Sequence, residues 1–290
     1  MCDERTAQDD EAFVLSKGDL SRRAFGAMSV AALAACATSP ADAAAVTERE
    51  VTITTPDGSC DAYFVHPASG KHPAVLVWPD IMGLRPAFRA MGKRLAQSGY
   101  AVLTVNAFYR TNRAPILAEG ESFADPEKRQ RLMGMMRALT PQTHTTDAIA
   151  FVDWLDRQGA VDTSRKIGTT GYCMGGPITM RTAAAKPDRV GAGASFHGGG
   201  LATANPDSPH LLIPRMRASY LVAIAQNDDE ADPAAKDTLR SAFAAANRPA
   251  EIEVYPAQHG WCSLDSPVYD QVQADRAWAR LLALFGTALA

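Results

Sequence analysis

The sequence is poor in three features that would quickly assign a function: paired cysteines, excess positive charge and long apolar runs. Its five cysteines include no CxxC pair, and no group of cysteines and histidines has the spacing of a zinc site. The formal net charge is −3 at pH 7, so no basic excess would attract nucleic acid. We therefore expect no metal, no cofactor and no polyanionic partner.

Residues 1–45 resemble an export signal rather than part of a folded domain. Residues 21–25, SRRAF, are similar to a twin-arginine signal. An alanine-rich apolar stretch follows over residues 27–35, and it is far shorter than the ~20 residues that cross a bilayer as a helix. The alternative is an amphipathic helix packed on the domain. The pattern predicts an exported, periplasmic bacterial protein.

Two kinds of cleavage site fit this segment. Residues 33–36, LAAC, resemble a lipobox, in which Cys36 carries a lipid and becomes the new N-terminus. Residues 41–43 and 43–45 instead fit the small-x-small rule of ordinary signal peptidase. Both remain open from the sequence, so membrane attachment is expected only through a lipid on Cys36.

Residues 46–290 are interpreted as a single domain. Strand-like and helix-like stretches alternate after a hairpin whose turn lies at residues 56–59. Continuous apolar runs at 74–78 and 101–105 are typical of buried parallel strands. The alternation predicts an α/β fold with a mostly parallel sheet and helices on both faces. Residues 111–141 carry no strand signal, and we expect them to cross the sheet edge and form a pocket wall.

Residues 171–176, GYCMGG, lie between a predicted strand and a predicted helix. This is the pattern of a nucleophile elbow, with Cys173 in the place of the usual serine. Such a sharp turn needs small neighbours, here Gly171 and Gly175, and the helix N-terminus behind it favours a thiolate. The alternative interpretation is a glycine-rich turn that contains an inert, buried cysteine.

A cysteine nucleophile benefits from a nearby base, because a thiol with a pKa near 8.5 is only ~3% ionised at neutral pH. His259 follows the last predicted strand, at the sheet edge where α/β enzymes place their chemistry. In such folds the chain order is nucleophile, acid, histidine, so the acid should follow the strand before it. Asp228 is the first choice and Asp229 the alternative, since one sequence does not fix the register.

On these residues the chain resembles the dienelactone hydrolase family from about residue 51 to residue 284. The similarity is carried by residues 171–176, Asp228 and His259, and by residues 79–83, PDIMG. The resemblance implies an α/β-hydrolase fold with an eight-stranded sheet. It also implies hydrolysis of a small ester or lactone through a thioester acyl-enzyme.

The resemblance extends to the oxyanion hole and the substrate site, with departures. It implies an oxyanion hole formed by the backbone N–H groups of Met174 and Ile81. Asp80 stands where the family usually has a glutamate near the thiol. Arg110 matches the first of two arginines that hold a substrate carboxylate, whereas Ser263 replaces the second. A related ester or lactone is therefore expected rather than dienelactone itself.

Several alternatives remain open from the sequence. His197 follows a predicted strand and is equally a substrate-binding pocket residue or a turn residue. The chain could be an exported thiol redox or scavenging protein, in which Cys173 pairs with Cys262, or a non-catalytic ligand binder. A Cys60–Cys262 disulfide is compatible with export. The pattern does not separate a monomer from a dimer.

Overall fold

The computed structural model describes residue 6 and residues 8–16, 44–118 and 120–290. Within this part of the chain, eight strands form one sheet. They are β1 (Val46–Thr55), β2 (Gly58–Pro67), β3 (Ala74–Trp78), β4 (Ala101–Val105), β5 (Ile167–Tyr172), β6 (Val190–Phe196), β7 (Ser219–Ala225) and β8 (Ala250–Tyr255). Their order in the sheet is β1-β2-β4-β3-β5-β6-β7-β8.

The helices fill the connections between the strands. Residues 8–16 form a helix that we call α1. The others are α2 (Pro86–Gln97), α3 (Pro126–Ala138), α4 (Pro141–Leu155), α5 (Gly175–Ala185), α6 (Gln226–Ala231), α7 (Ala235–Ala245) and α8 (Gln271–Ala288), with a 3-10 helix at Pro209–Arg215. None of the helices within the described residues is long and apolar enough to span a bilayer.

The strand directions follow from the connections. The tight turn between β1 and β2 makes an antiparallel hairpin, and β2 also runs antiparallel to β4. The remaining neighbours are parallel, because each pair is joined through a crossover that contains helix or long loop. The predicted eight-stranded, mostly parallel α/β fold is therefore confirmed.

Alternating side chains of the central strands pack against helices on both faces of the sheet. Val75 and Val77 of β3 contribute to a core that includes α2 and α8. Leu76 and Trp78 of the same strand point into the opposite core, which includes α4 and α5. Because both faces are covered, these strands carry the continuous apolar runs seen in the sequence.

The edge strands carry charged residues that pair with neighbouring helices. On β1, Glu48 forms an ion pair with Lys93 of α2 at 3.0 Å, and Glu50 pairs with Arg89. On β8, glutamates pair with arginines of α8, as Glu251–Arg280 and Glu253–Arg276. Polar, ion-paired side chains therefore occupy both edges of the sheet.

Most of the predicted export signal lies outside the described residues. This applies to the twin-arginine segment, the apolar stretch, the lipobox with Cys36 and the small-x-small site at 41–43. The described N-terminal part is helix α1 with Thr6, and Thr6 is buried. Residues 111–141, which were expected to cross the sheet edge, contain α3 and the first residue of α4.

Candidate active site

A cavity of about 1050 Å³ lies where several parallel strands end. Cys173 follows β5, His197 follows β6 and His259 follows β8, and all three line this cavity. All three side chains are buried. Parallel strands present their carboxyl ends at one edge, which explains how residues far apart in the chain meet there.

Cys173 has the backbone strain expected of a nucleophile elbow. Its φ is 52°, in the left-handed region that a side chain rarely adopts. The turn is possible because Gly171 and Gly175 have no Cβ. A Cβ on Gly171 would lie 2.2 Å from the Gly175 carbonyl oxygen, and one on Gly175 would lie 2.2 Å from the Trp78 carbonyl oxygen. The sequence therefore builds a tight turn that raises Cys173 to the cavity.

The sulfur of Cys173 is in a disulfide. Its partner is neither Cys60 nor Cys262, because both are free and buried thiols. The Cys60–Cys262 bridge that the sequence left open is therefore not formed, and neither is the alternative pairing of Cys173 with Cys262. Burial raises the pKa of the Cys262 thiol well above its usual value, so this thiol stays protonated at neutral pH.

His259 and Asp228 form a hydrogen-bonded pair. The Asp228 carboxylate accepts from Nδ1 of His259, with oxygens at 2.8 and 3.0 Å. Burial raises the pKa of Asp228, but the attraction and hydrogen bond of His259 lower it more, so the net pKa lies below the usual value. Asp229, the alternative acid, instead accepts from Lys236 Nζ at 2.6 Å.

The backbone of His259 is also held in place. Its N–H donates to Oδ1 of Asn227 at 2.9 Å, and Asn227 immediately precedes the acid. Residues 226–231, directly after β7, form the short helix α6. This helix places Asn227 and Asp228 so that one binds the backbone of His259 and the other its ring. No pattern in the sequence indicates the role of Asn227.

His197 lies against the ring of His259. The two ring centroids are 4.9 Å apart and the rings are inclined at 63°, while Trp261 contacts the His197 ring at 5.2 Å. Burial, and then the nearby His259, lower the pKa of His197 well below its usual value. His197 is therefore a neutral ring that walls the cavity and supports His259, and the pocket interpretation agrees with this placement.

The two residues whose backbone N–H groups are expected to form an oxyanion hole both follow a strand of the sheet. Ile81 follows β3 and lines the cavity, and Met174 follows Cys173 at the start of α5. Among the hydrogen bonds of the described residues, neither N–H donates to a protein acceptor. Two such donors suit the developing negative charge of an acyl-transfer intermediate.

Asp80 binds protein groups with both of its oxygens. Arg85 donates to them at 2.7 and 2.9 Å, and Ser263 Oγ donates at 3.2 Å. Asp265 forms a second bidentate pair with the same guanidinium, at 2.7 and 2.8 Å. Asp80 was expected near the thiol, as part of the substrate site. Its pairing with Arg85 and the link to Asp265 were missed, because Asp265 is far from the other two along the chain.

Arg110 does not belong to the cavity lining, so its assignment to a substrate carboxylate is corrected. Its guanidinium donates to the buried Asp147 at 2.7 and 2.8 Å and also pairs with Asp57. Tyr109 donates to the same Asp147 carboxylate at 2.8 Å. This buried ion network anchors the loop after β4 to α4. Such a cation has no unpaired donor face to offer a substrate.

The remaining cavity wall is mostly apolar and comes from two distant parts of the chain. Residues between β4 and α4 form one side, as expected for this excursion, and include Pro115, Leu117 and Phe123. The N-terminal segment forms another side, with Thr6, Gln8, Asp10, Glu11, Val14 and Leu15. Burial raises the pKa of Asp10 to about 7, while attraction to His259 acts in the opposite direction.

Comparison with known proteins finds relatives of one family. The sequence model of the dienelactone hydrolase family matches residues 60–289. A Rhodococcus opacus protein named carboxymethylenebutenolidase is 27% identical over 230 residues, covering 77% of this chain and 84% of the relative. A Methylorubrum extorquens homologue with the same kind of name is 29% identical over 261 residues, covering 88% of this chain and 86% of its own length.

A solved structure supports the same assignment. A Klebsiella pneumoniae protein assigned as a dienelactone hydrolase is 25% identical, with a TM-score of 0.72, and the match covers 84% of this chain and 99% of that one. The family acts on ester and lactone bonds, and the matched residues include the elbow and the strand ends that form the cavity. The chain belongs to the dienelactone hydrolase family and is a hydrolase.

Proposed function

We propose that this hydrolase cleaves a small ester or lactone through Cys173, His259 and Asp228. His259 takes the proton of the Cys173 thiol, and Asp228 orients the imidazole and stabilises its positive charge. The thiolate then attacks the substrate carbonyl carbon. The backbone N–H groups of Met174 and Ile81 stabilise the negative charge that develops on the carbonyl oxygen.

The two halves of the reaction balance around the acyl-enzyme. The tetrahedral intermediate collapses as the carbon–oxygen ester bond breaks, and His259 donates its proton to the leaving alkoxide. A lactone keeps this alcohol as part of the acyl group. Water then attacks the thioester with His259 as base, the carbon–sulfur bond breaks, and the carboxylic acid leaves with the Cys173 thiol restored.

The observation that carries this proposal is the pairing of Asp228 with His259 in the cavity that also contains the strained Cys173 turn. An inert buried cysteine would need none of these neighbours. Since the structure has Cys173 in a disulfide, the sulfur must first be reduced by a dithiol. That reductant is oxidised to its own disulfide, and two electrons convert the protein disulfide into two thiols.

The charges around the cavity point to a substrate whose acyl group is uncharged. Arg110 is bound to Asp147 and Asp57, and Ser263 stands where the family has its second arginine. Arg85 lines the cavity, but two carboxylates neutralise it. A further arginine of the cavity lining, Arg129, donates from Nη1 to the backbone carbonyls of Phe123 and Ala124. Neither of the two positions that hold a substrate carboxylate in the family therefore presents an unpaired arginine fork within the described residues.

The experiment compares the reduced protein with its Cys173→Ala variant on a panel of aryl esters and lactones, with and without a free carboxylate. We expect the wild type to turn over the neutral members, and the variant to lose turnover while its circular dichroism spectrum stays the same. Hydrolysis by Cys173→Ala at the wild-type rate would contradict the proposal. A preference for the anionic members would contradict only the assignment of substrate class.

The disulfide at Cys173 favours a second candidate, a thiol protein that consumes peroxide. In that reaction the two thiols lose two electrons and two protons to form the disulfide, and a hydroperoxide is reduced to an alcohol and water. Peroxide consumption by the reduced protein that exceeds ester turnover would support this candidate over the hydrolase.

We also propose that the protein acts outside the cytoplasm, on the basis of its twin-arginine-like segment. Intact-mass measurement of the protein from its native membrane and periplasmic fractions tests this. A diacylglycerol on Cys36, or a free N-terminus near residues 44–46, is the expected result. A full-length cytoplasmic protein would contradict it.

A further inference from the structure

Arg85 connects two loops that belong to different ends of the chain. One bidentate pair joins it to Asp80, in the loop after β3, with distances of 2.7 and 2.9 Å. A second bidentate pair joins it to Asp265, in the loop after β8, with distances of 2.7 and 2.8 Å. Bidentate pairs between a guanidinium and a carboxylate fix geometry more strongly than single contacts.

The first loop carries the predicted oxyanion donor. Asp80 directly precedes Ile81, and its Oδ1 accepts the backbone N–H of Met82 at 2.9 Å. The Asp80 side chain therefore folds the loop around Ile81 as well as binding Arg85. Its other oxygen accepts from Ser263 Oγ at 3.2 Å, so the loop after β8 contacts the same carboxylate directly.

The second loop, after β8, contains the proposed base, His259. His259 lies between β8 and Asp265, and Ser263 is also in this short stretch. Arg85 is almost fully buried and its ring neighbour Phe88 of α2 lies 4.9 Å from the guanidinium carbon. Packing on a helix makes this cation a fixed point to which both loops are attached.

We propose that Arg85 is a positioning residue that sets the Ile81 N–H relative to the Cys173–His259 pair. This inference rests on the proposed function and names a residue that acts through others rather than on the substrate. Misplacement of reacting groups by about 1 Å can reduce a rate ~100-fold. Substitution of Asp265 removes one of the two ion pairs of Arg85 and leaves the buried Asp80 paired with the guanidinium.

The experiment replaces Asp265 by Asn in the full, reduced chain. We expect kcat to fall about tenfold with KM changed less than about twofold, because the site keeps its binding surface and loses alignment. Asp265→Glu, which retains a carboxylate, should recover most of the rate. Asp275→Asn is the matched control, since it removes a carboxylate from an exposed pair with Arg94 at 3.0 Å.

A second readout separates this proposal from the catalytic one. Alkylation of Cys173 by chloroacetamide needs the thiolate but no oxyanion hole, so its rate in Asp265→Asn should stay within about twofold of wild type. Equal kcat in Asp265→Asn and Asp275→Asn would overturn the positioning role. Failure of Cys173→Ala to abolish turnover would instead overturn the proposed function.

A different observation concerns the N-terminal segment, by which we mean Thr6 and helix α1. Thr6 is buried, and six side chains of this segment line the cavity that contains Cys173 and His259. Asp10 lies close enough to His259 and Asp228 for their charges to interact. The segment precedes the twin-arginine-like motif in the sequence.

We infer that the N-terminal segment binds in the active-site cavity of the uncleaved chain and competes with substrate. The group that occupies the cavity is thus part of the same polypeptide, and it carries acidic and apolar side chains. If the segment is bound nine-tenths of the time, the apparent substrate affinity falls about tenfold. Removal of the segment with an export signal would then release full activity.

The experiment replaces residues 6–16 with a glycine–serine sequence of equal length and keeps the rest of the chain. After reduction, we expect KM to fall about tenfold and the chloroacetamide reaction of Cys173 to accelerate by a similar factor. A synthetic peptide of residues 6–16 should reverse both changes. Values within about twofold of wild type for both would overturn the inference, and the alkylation readout does so whether or not the protein hydrolyses esters.

Discussion

Replacement of Asp228 by Asn isolates the carboxylate charge in the proposed site. The side chain is only 13% exposed, and its two oxygens lie 2.8 and 3.0 Å from Nδ1 of His259. Asn keeps the shape and an acceptor oxygen but cannot stabilise an imidazolium. A hydrogen bond to a charged group contributes about 1.5–3 kcal/mol. At about 1.4 kcal/mol per tenfold change, the upper value predicts a loss of about 100-fold in kcat/KM.

The assay follows release of nitrophenol from a neutral ester by the reduced protein. Asp229→Asn is the matched control, because it changes the adjacent carboxylate, which pairs with Lys236 rather than with His259. We expect that control to stay within about threefold of wild type. Equal losses in the two variants, or an Asp228→Asn variant with wild-type kcat/KM, would refute the assignment of the acid.

Three further predictions concern stability and specificity. Gly175→Ala should lower the free energy of unfolding by about 2 kcal/mol or more in urea titrations, because its Cβ would overlap the carbonyl at the end of β3. Gly134→Ala is the control: it has open space around it and should raise the free energy of unfolding by about 0.5–1 kcal/mol. His197 is neutral in the folded protein but gains a proton below pH 6.5 in the unfolded chain, so the free energy of unfolding should fall by about 2 kcal/mol between pH 6.5 and 5. His197→Phe should remove this part of the pH dependence of stability. Arg110→Ala should destabilise the fold by about 3 kcal/mol, since it leaves the buried Asp147 unpaired, without changing the ratio of kcat/KM for neutral and anionic esters. A fall in kcat/KM for anionic esters alone would show that Arg110 binds the substrate carboxylate after all.

The sequence predicted the fold and the centre of the site because both depend on local patterns. Apolar runs bounded by turn residues predicted the strands, and the spacing of Gly171, Cys173 and Gly175 predicted the elbow. Chain order then placed His259 at the same sheet edge. One residue of register separates Asp228 from Asp229, and that choice depends on how α6 turns after β7.

The errors involve contacts between residues that are distant in the chain. The role expected of Arg110 was wrong because nothing near it in the sequence indicates that Asp57 and Asp147 converge on its guanidinium. Likewise, no local pattern indicates that Arg85 bridges to Asp265. Ion pairs of this kind follow from the completed fold, so a single sequence gives no means to choose the partners.

The ion pairs on the two outer strands have a consequence for self-association. A second copy that extended the sheet at β1 or β8 would approach the charged side chains of these strands. Its binding would desolvate glutamates that already form ion pairs with Lys93, Arg280 and neighbouring cations. Strand-to-strand joining, the route by which β-rich surfaces aggregate, is therefore disfavoured at both margins. Any dimer of this protein should be sought on its helical faces.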